Sequence, residues 1–571
     1  MTEPVRIGNC SGFYGDRLSA MREMLEGGPL DYLTGDYLAE LTMLILGKDQ
    51  LRDPALGYAR TFVTQVADSL DLALSQGVRL VANAGGLNPA GLAVRLGEVA
   101  SSLGLDAKIA WVDGDNLAPR AAELGLGGAL TANAYLGAFG IARALEAGAD
   151  IVVTGRVTDA SVVVGPAIAH HGWKPTSYDE LAGAVVAGHV IECGTQATGG
   201  NFSGFLDLPR DANPLGFPLA EVAADGSFVV TKHPGTGGLV SVDTVTAQLV
   251  YEIQTTTYLG PDVTTDLTSI SLAADGPDRV RVSGVTGSAP PERLKVAVNE
   301  LGGHRNQMEF VLTGLDIDEK AAWIRTQLEA RLAAQRPASI SWSLGARPAP
   351  DADTEEGASC LLRVVVKDPS ADVVGKPFSA AAVELALASY PGFTLTAPPG
   401  RGSPYGVYRP AYVDRSEVTE TVHLWDGSTV TIDAPPTGAV PEDPVAPPSY
   451  GGSESPTVKA PLGTFVHARS GDKGGDANVG LWVGGSPDVL RERRIAWLLH
   501  LVTPDEIRRL LPEAADLDVE VYPLPNLGGV NVLIRGLLGE GVAASTRFDP
   551  QAKAVGEWLR SRIVHIPEEL M

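Results

Sequence analysis

Cysteine is scarce in this chain: Cys10, Cys193 and Cys360 are the only three among 571 residues. An odd and sparse set argues against a disulfide framework and is typical of a reducing compartment. The N-terminal residues lack the apolar stretch of a signal peptide, and no apolar run reaches the roughly 18 residues that a transmembrane helix needs. We therefore expect a cytoplasmic protein without membrane-spanning segments.

Basic residues are also few, because 44 lysines and arginines stand against 69 acidic residues, which gives a formal net charge of -25. This balance argues against a broad basic surface for nucleic acid or for an anionic membrane. A local group of basic side chains or a helix N-terminus could still hold a small anion. We therefore expect a small-molecule partner, and neither a nucleic acid nor a membrane.

Several common catalytic motifs are absent. The glycines after the first predicted strand do not have G-x-G-x-x-G spacing, and the sequence contains no P-loop, H-E-x-x-H, G-x-S-x-G or C-x-x-C. The sequence therefore does not support standard dinucleotide binding, P-loop nucleotide hydrolysis, zinc peptidase chemistry or an α/β-hydrolase.

What is present is an alternation of short apolar runs with helical patterns over the first 170 residues. This alternation predicts an α/β domain at 1–225 with a mainly parallel sheet, whose strands lie near 5–7, 78–82, 109–112 and 151–153. Residues 226–433 have a mixed α+β pattern, in which we predict a helix at 318–332 and strands near 340 and at 361–366. The proline-rich segment 434–461 reads as a linker, and 462–571 reads as a separate α+β domain. In that domain we predict strands near 463–468, 479–483, 517–521 and 530–534, and helices near 487–499, 504–511 and 552–562.

Small polar loops follow the predicted strands and should share the carboxyl edge of the sheet, where α/β folds bind ligands. One loop contributes Asn83, Gly85, Gly86 and Asn88 as candidate substrate-binding residues, with backbone amides that can approach an anion. The alternative is a tight turn in which Asn88 caps the following helix, with a proline at the first helical position.

A second strand-end loop contains Gly155, Arg156, Thr158 and Asp159. The forked guanidinium of Arg156 can bind a carboxylate or phosphate, so we predict that Gly155, Arg156 and Thr158 bind substrate. Asp159 is a catalytic candidate, and its alternative role is to cap the next helix.

The segment 192–201 places a carboxyl group, a thiol and an amide beside glycines. Glu192 is the preferred general base, because a carboxyl beside partly buried glycines can have a raised pKa. Cys193 is a candidate nucleophile if its thiolate is stabilised, and Gln196 is a candidate substrate ligand. The alternatives are a surface Glu192 and a structural, buried Cys193.

Three further glycine-rich loops carry candidates. His233 is a candidate acid or base beside Gly237, a candidate binding residue, and either could belong to an ordinary turn. Asp262 and Asp266 could add carboxylates, although no ligand spacing requires a metal. Lys473 could hold an anion together with backbone amides, or it could belong to a plain hairpin.

Six separated motifs occur in one order: RIGNCSGFYGDR, NAGGLNP, VTGRVTDAS, ECGTQATGGNF, KHPGTGG and ARSGDKGGDANVG. Together they resemble the acyclic terpene utilisation family of the AtuA type, over residues from about 5 to about 565. The resemblance implies an α/β N-terminal part, a ferredoxin-like C-terminal domain, and a role in the catabolism of acyclic terpenoids and branched acyl-CoA compounds. It further implies a hydroxyacyl-CoA lyase or a hydratase-like enzyme.

The leading hypothesis is an oligomeric enzyme that acts on a branched acyl-CoA or free acid, with CoA as part of the substrate and no metal or other cofactor. The loops at 83–89 and 154–159 would hold the anionic group, and Glu192 with His233 or Cys193 would move protons. One alternative is a non-catalytic subunit or scaffold associated with an acyl-CoA carboxylase pathway. Another is a phosphoryl-handling hydrolase, which the glycine loops suggest and the missing P-loop opposes.

Overall fold

The computed structural model describes residues 3–209, 214–441, 450–452 and 455–571. Internal contacts divide the chain into two compact units. The first comprises Met1–Asn299, Tyr408–Val542 and Asp549–Met571, and the second comprises Glu300–Val407 and Ala543–Phe548. The boundaries expected from composition at 225, 433 and 461 stay predictions, and residues 442–449 and 453–454 of the expected linker lie outside the described residues.

The strands of the described residues are, in chain order, β1 (Val5–Asn9), β2 (Tyr32–Gly35), β3 (Arg79–Ala82), β4 (Ile109–Asp113), β5 (Thr131–Ala134), β6 (Ile151–Thr154), β7 (Pro218–Val222), β8 (Phe228–Lys232), β9 (Thr257–Leu259), β10 (Thr264–Asp266), β11 (Ser271–Ala274), β12 (Val280–Ser283), β13 (Thr286–Ser288), β14 (Arg293–Thr313), β15 (Ser339–Leu344), β16 (Ser359–Asp368), β17 (Thr394–Leu395), β18 (Ser403–Asp414), β19 (Thr421–His423), β20 (Thr429–Thr431), β21 (Thr457–Pro461), β22 (Val466–Lys473), β23 (Asp476–Val483), β24 (Val519–Leu524), β25 (Gly529–Ile534) and β26 (Ile563–Pro567).

The α-helices of the same residues are α1 (Ala20–Gly27), α2 (Glu40–Arg52), α3 (Arg60–Gln76), α4 (Pro89–Ser102), α5 (Phe139–Glu146), α6 (Ser161–His171), α7 (Tyr178–Ile191), α8 (Val242–Leu249), α9 (Ile317–Leu332), α10 (Ala371–Val374), α11 (Lys376–Val383), α12 (Val489–Leu501), α13 (Pro504–Leu510) and α14 (Val555–Ser561). Among the described residues, no helix combines the length and apolarity needed to cross a membrane.

The main sheet of the first unit has eleven strands in the order β11-β12-β8-β7-β1-β2-β3-β6-β4-β19-β20. Its centre, β1-β2-β3-β6-β4, is parallel, whereas every pairing outside this centre is antiparallel. The sheet is therefore mixed, and the expectation of a mainly parallel sheet is not confirmed. The cause is topological: helical crossovers build the centre, while later chain segments add hairpins such as β7–β8 and β19–β20 to both edges.

Helix α7 lies in the middle of the hydrophobic core of this unit. All its residues from Leu181 to Ile191 are buried, as expected for a helix that is apolar on every face. Gly188 allows a close approach, because a Cβ there would lie 2.7 Å from the Cα of Ala160. The helix ends at Glu192, so the carboxyl group of this residue lies in the interior of the protein.

The C-terminal residues form a four-stranded antiparallel sheet in the order β22-β23-β25-β24. Helices α12, α13 and α14 contribute to its hydrophobic core. The alternation of strands and helices predicted after residue 461 is confirmed within a few residues.

The second unit has an antiparallel sheet in which β16 pairs with β15 and with residues 304–313 of β14. Helix α9 packs its apolar stripe, which includes Ile324 and Leu328, into the core of this unit. The predicted helix at 318–332 and the predicted strands near 340 and 361–366 are confirmed.

Candidate functional site

A cavity of about 1140 Å³ lies within the first unit. Its walls come from the loops that follow β1, β2 and β6, the end of α7, the segment 251–261, the start of β14 and the hairpin that follows β22. Small-molecule sites usually occupy about 300–1,000 Å³, so this cavity has room for a large organic ligand.

Three carboxyl groups meet in this cavity. Asp36 follows β2, Asp159 follows β6, and Glu192 follows α7. One side-chain oxygen from each lies within 4.8 Å of the others, which is close enough for the three groups to share one cation. We call Asp36, Asp159 and Glu192 the carboxyl cluster.

Hydrogen bonds fix the position of Asp36 in the cluster. Its Oδ1 accepts from Asn83 Nδ2 at 2.5 Å and from the backbone N–H of Leu38 at 3.1 Å. Asn83 is itself held, because its Oδ1 accepts from the backbone N–H of Tyr37 at 2.8 Å. Asn83 is therefore a support for the cluster and does not line the cavity.

Burial and mutual repulsion disfavour ionisation of all three carboxyl groups at once. Burial, with the charges of Asp159 and Glu252 nearby, raises the pKa of Glu192 well above its ordinary value. Burial, with the charges of Asp159 and Glu192, does the same to the pKa of Asp36. The pKa of Asp159 is also raised by burial, although the charge of Arg156 opposes that shift.

Arg156 is buried, with 3% of its surface exposed, and each of its two terminal nitrogens already has a partner. One terminal nitrogen donates to the carbonyl of Leu38 at 3.0 Å, and the other lies 2.8 Å from Asp159 Oδ1. The guanidinium carbon is 4.3 Å from the centre of the Tyr135 ring. Its Nε is buried without a hydrogen-bond partner, so Arg156 both organises the cluster and retains a donor.

Lysines line other parts of the cavity: Lys295, Lys473 and Lys553. Lys295 Nζ lies 4.8 Å from the centre of the Tyr135 ring, and Lys553 Nζ lies 3.2 Å from Glu252 Oε1. Lys473 comes from the hairpin between β22 and β23, where Gly474 adopts a φ of 64°. These ammonium groups give the cavity positive charge, and the charge of Lys473 opposes the rise in the pKa of Asp159 and of Glu192.

Cys193 also lines the cavity, but its environment does not favour a thiolate. Burial and the charges of Glu192 and Glu252 raise the pKa of its thiol well above the ordinary value. A nucleophilic cysteine requires the opposite shift. The structure thus supports the alternative interpretation, in which Cys193 is a buried residue without a nucleophilic role.

The structure brings together some of the residues predicted from sequence and separates others. The predicted residues that line the cavity are Arg156, Thr158, Asp159, Glu192, Cys193, Gln196 and Lys473. The amide oxygen of Gln196 accepts from Arg469, so that part of its side chain is engaged within the protein.

The glycines of the first two predicted loops allow close packing, and Asn88 caps a helix. Added Cβ atoms at Gly85 and Gly155 would lie 2.4 Å from the Thr154 carbonyl and from Asp115 Oδ1, and one at Gly86 would lie 2.4 Å from a Leu46 methyl. Asn88 caps α4 by accepting from the N–H of Gly91 at 2.9 Å. These residues close the turns behind the cavity and do not line it.

The predicted glycine-rich loop after β8 lies elsewhere. His233 is buried against Gly27 and Gly28, and Gly237 exchanges backbone hydrogen bonds with the segment at 214–216. Asp262 is buried against the backbone N–H of Ala138 at 2.8 Å, and Asp266 caps a short helical turn through Thr268 at 2.8 Å. None of these four residues lines the cavity.

Sequence reasoning missed several cavity residues, namely Asp36, Glu252, Tyr258, Lys295 and Lys553. Asp36 directly follows β2, a strand of the parallel centre. That strand, with the sequence YLTG, is short and carries no apolar run, so the pattern did not reveal it. The other four lie in segments whose local sequence does not indicate that they line a cavity.

The described residues form a protein of mixed α/β structure with a large cavity and a buried carboxyl cluster. Two family models match the chain: acyclic terpene utilisation family protein AtuA over residues 5–424, and the AtuA ferredoxin-like domain over residues 460–565. The chain therefore belongs to the AtuA family, which is implicated in acyclic terpene utilisation. No curated protein and no solved structure matches it significantly.

Proposed function

We propose that this protein is an enzyme of acyclic terpenoid or branched acyl-CoA catabolism, and that it acts as a lyase on a branched acyl-CoA. The reaction is either C–C cleavage of a hydroxyacyl-CoA or addition and removal of water. Family membership supports the pathway. The cavity supports the substrate class by its size and by its combination of carboxyl groups, lysines and apolar walls.

The observation that carries the proposal is the position of Glu192. Its carboxyl group is 5% exposed, lines the cavity, and has one oxygen, Oε2, without a hydrogen-bond partner. A buried polar atom without a partner is costly in a folded protein. A substrate hydroxyl or a water molecule in the cavity would satisfy it.

Both candidate reactions need a group in the cavity that transfers a proton to or from the substrate. In water elimination, a carboxyl group takes a proton from carbon or protonates the leaving hydroxyl. In C–C cleavage, it takes the proton of the substrate hydroxyl while the bond between the hydroxyl-bearing carbon and the carbon next to the thioester carbonyl breaks. The electron pair of that bond passes to the thioester enolate, which is then protonated. Glu192 is the proton-transferring group in this proposal, and Lys473 and Lys295 bind anionic groups of the substrate.

The apolar walls suit the hydrocarbon part of such a substrate. Leu38, Tyr135, Leu259 and Val440 line the same cavity as the lysines. Burial of a branched chain there would contribute about 25 cal/mol per Å² of apolar surface removed from water. An acyl-CoA with a branched chain presents anionic and apolar parts together, as this cavity requires.

The test compares wild-type protein with Glu192→Gln on a panel of branched acyl-CoAs, hydroxyacyl-CoAs and the free acids. We expect at least one substrate to be turned over, and kcat to fall by about 10²–10⁴ in the variant, with KM nearly unchanged. Glu292→Gln, which removes an exposed carboxylate that also lines the cavity, is the matched control and should keep kcat. Equal kcat for wild type and Glu192→Gln would remove Glu192 from the mechanism.

A further inference from the structure

The carboxyl cluster has the geometry of a cation site. Two ligand atoms of one ion can be separated by at most twice the metal–oxygen distance, which is about 4.0–4.2 Å for Mg²⁺ and about 4.6–5.2 Å for Ca²⁺. The oxygens of Asp36, Asp159 and Glu192 all lie within 4.8 Å of one another. Three atoms at that limit would each lie about 2.8 Å from their common centre, so an inward adjustment of a few tenths of an ångström suits Ca²⁺ and a larger one suits Mg²⁺.

The charges of the cluster are incompletely balanced by the protein. Three ionised carboxylates would carry a formal charge of -3, and among the described residues the arginine in ion-pair contact with them is Arg156, at 2.8 Å from Asp159. Buried negative charge of this kind requires a positive partner. A divalent cation supplies the two positive charges that Arg156 leaves unmatched.

Several buried polar atoms in and beside the cluster lack hydrogen-bond partners, and two of them bear on a bound cation. Glu192 Oε2 is one of them. The other is Nδ1 of His189, whose side chain is on the same helix and is 6% exposed. This nitrogen lies 3.5 Å from Glu192 Oε1. His189 is thus an unpartnered polar side chain that points into the cluster, as a ligand or a hydrogen-bond partner of a bound ion or its water would.

We propose that Asp36, Asp159 and Glu192 bind one divalent cation of the oxygen-preferring class, such as Mg²⁺, Mn²⁺ or Ca²⁺. Carboxylate oxygens are the ligands that these ions select, and the open cavity leaves room for water and substrate at the remaining positions. Such an ion would polarise a carbonyl or hydroxyl oxygen of the substrate. That catalytic role rests on the proposed function, whereas binding of the ion does not.

The test is a titration of full-length protein, freed of metal with a chelator, with Mn²⁺ in the absence of substrate. We expect one ion per chain by calorimetry and by the loss of the free Mn²⁺ resonance signal, with Mg²⁺ and Ca²⁺ competing for the same site. Asp36→Asn and Glu192→Gln should each weaken Mn²⁺ binding at least tenfold. Glu292→Gln, with its carboxylate outside the cluster, should bind Mn²⁺ as the wild type does.

The proposal is overturned if wild-type protein shows no saturable binding at one ion per chain, or if both cluster variants bind Mn²⁺ as tightly as the wild type. Circular dichroism checks that each variant is folded. If Asp36→Asn does not fold, the Mn²⁺ affinity of Glu192→Gln alone decides the test. Because no substrate is present, a failure of metal binding is distinct from a failure to find turnover.

Discussion

Replacing Asp262 by asparagine should change the way in which stability depends on pH. Asp262 is 5% exposed, and its Oδ2 accepts a hydrogen bond of 2.8 Å from the backbone N–H of Ala138, just before α5. Burial raises the pKa of Asp262 from its ordinary value of 3.8 to about 6, although the Ala138 hydrogen bond and the charge of Arg415 oppose the shift. Asparagine keeps an acceptor for Ala138 but does not titrate.

The sign follows from the direction of the shift. Because the folded pKa is higher than the unfolded one, the stabilising contribution of the protonated group is complete below about pH 3.8 and is lost as the pH rises through about 6. A shift of about two units corresponds to about 3 kcal/mol, since each unit is 1.36 kcal/mol. Part of this effect lies below pH 4, so between pH 4 and pH 7.5 the stability of Asp262→Asn should rise relative to wild type by about 2.4 kcal/mol.

The assay is urea unfolding of both proteins at several pH values, followed by near-ultraviolet circular dichroism, with the difference in unfolding free energy plotted against pH. Only the change of this difference with pH tests the argument, because a constant offset reports the altered packing of the asparagine. Asp266→Asn removes an exposed carboxylate from the same segment and should not reproduce the rise. A difference for Asp262→Asn that stays flat from pH 4 to pH 7.5 would refute the reasoning.

Two further substitutions test other parts of the structure. Asn478→Ala should lower the free energy of unfolding, measured with denaturant, by about 2–5 kcal/mol. It removes the acceptor of the Glu252 backbone N–H at 2.7 Å and the donor to Asn531 Oδ1, and each buried group left without a partner costs about 1–3 kcal/mol. A loss below 1 kcal/mol would contradict this. Cys193→Ser should keep kcat within about threefold in the same acyl-CoA assay, because the raised pKa of the thiol leaves little thiolate. A loss of 100-fold or more would restore Cys193 as a nucleophile.

The centre of the main sheet could be read from local pattern, whereas its edges could not. β1, β3, β4 and β6 are apolar runs that each end in a polar loop, and these strands were predicted. β2 was missed, because its four residues have no apolar run. The antiparallel strands β7, β8 and β19 join the sheet from positions far along the chain, and strand pattern carries no information about such long-range pairing.

The candidate site shows the same limit. The segment that contains Glu192 was selected from its residue types, and the structure places its carboxyl group in the cavity. His233 was selected by the same reasoning, yet its ring packs against Gly27 and Gly28. Both lie in glycine-rich segments, so residue type alone does not separate a cavity residue from a packed one.

The sequence by itself determined the family, the alternation that builds the parallel centre, and the reactive residue types at the strand ends, because all of these depend on local order along the chain. Only the tertiary structure decided which of them meet. Asp36, Asp159 and Glu192 come from three separate segments, and their oxygens lie within 4.8 Å because β2, β6 and the buried helix α7 end at the same place. Their burial, and hence their perturbed acidity and the cation site that we propose there, arises from packing that residue spacing does not encode.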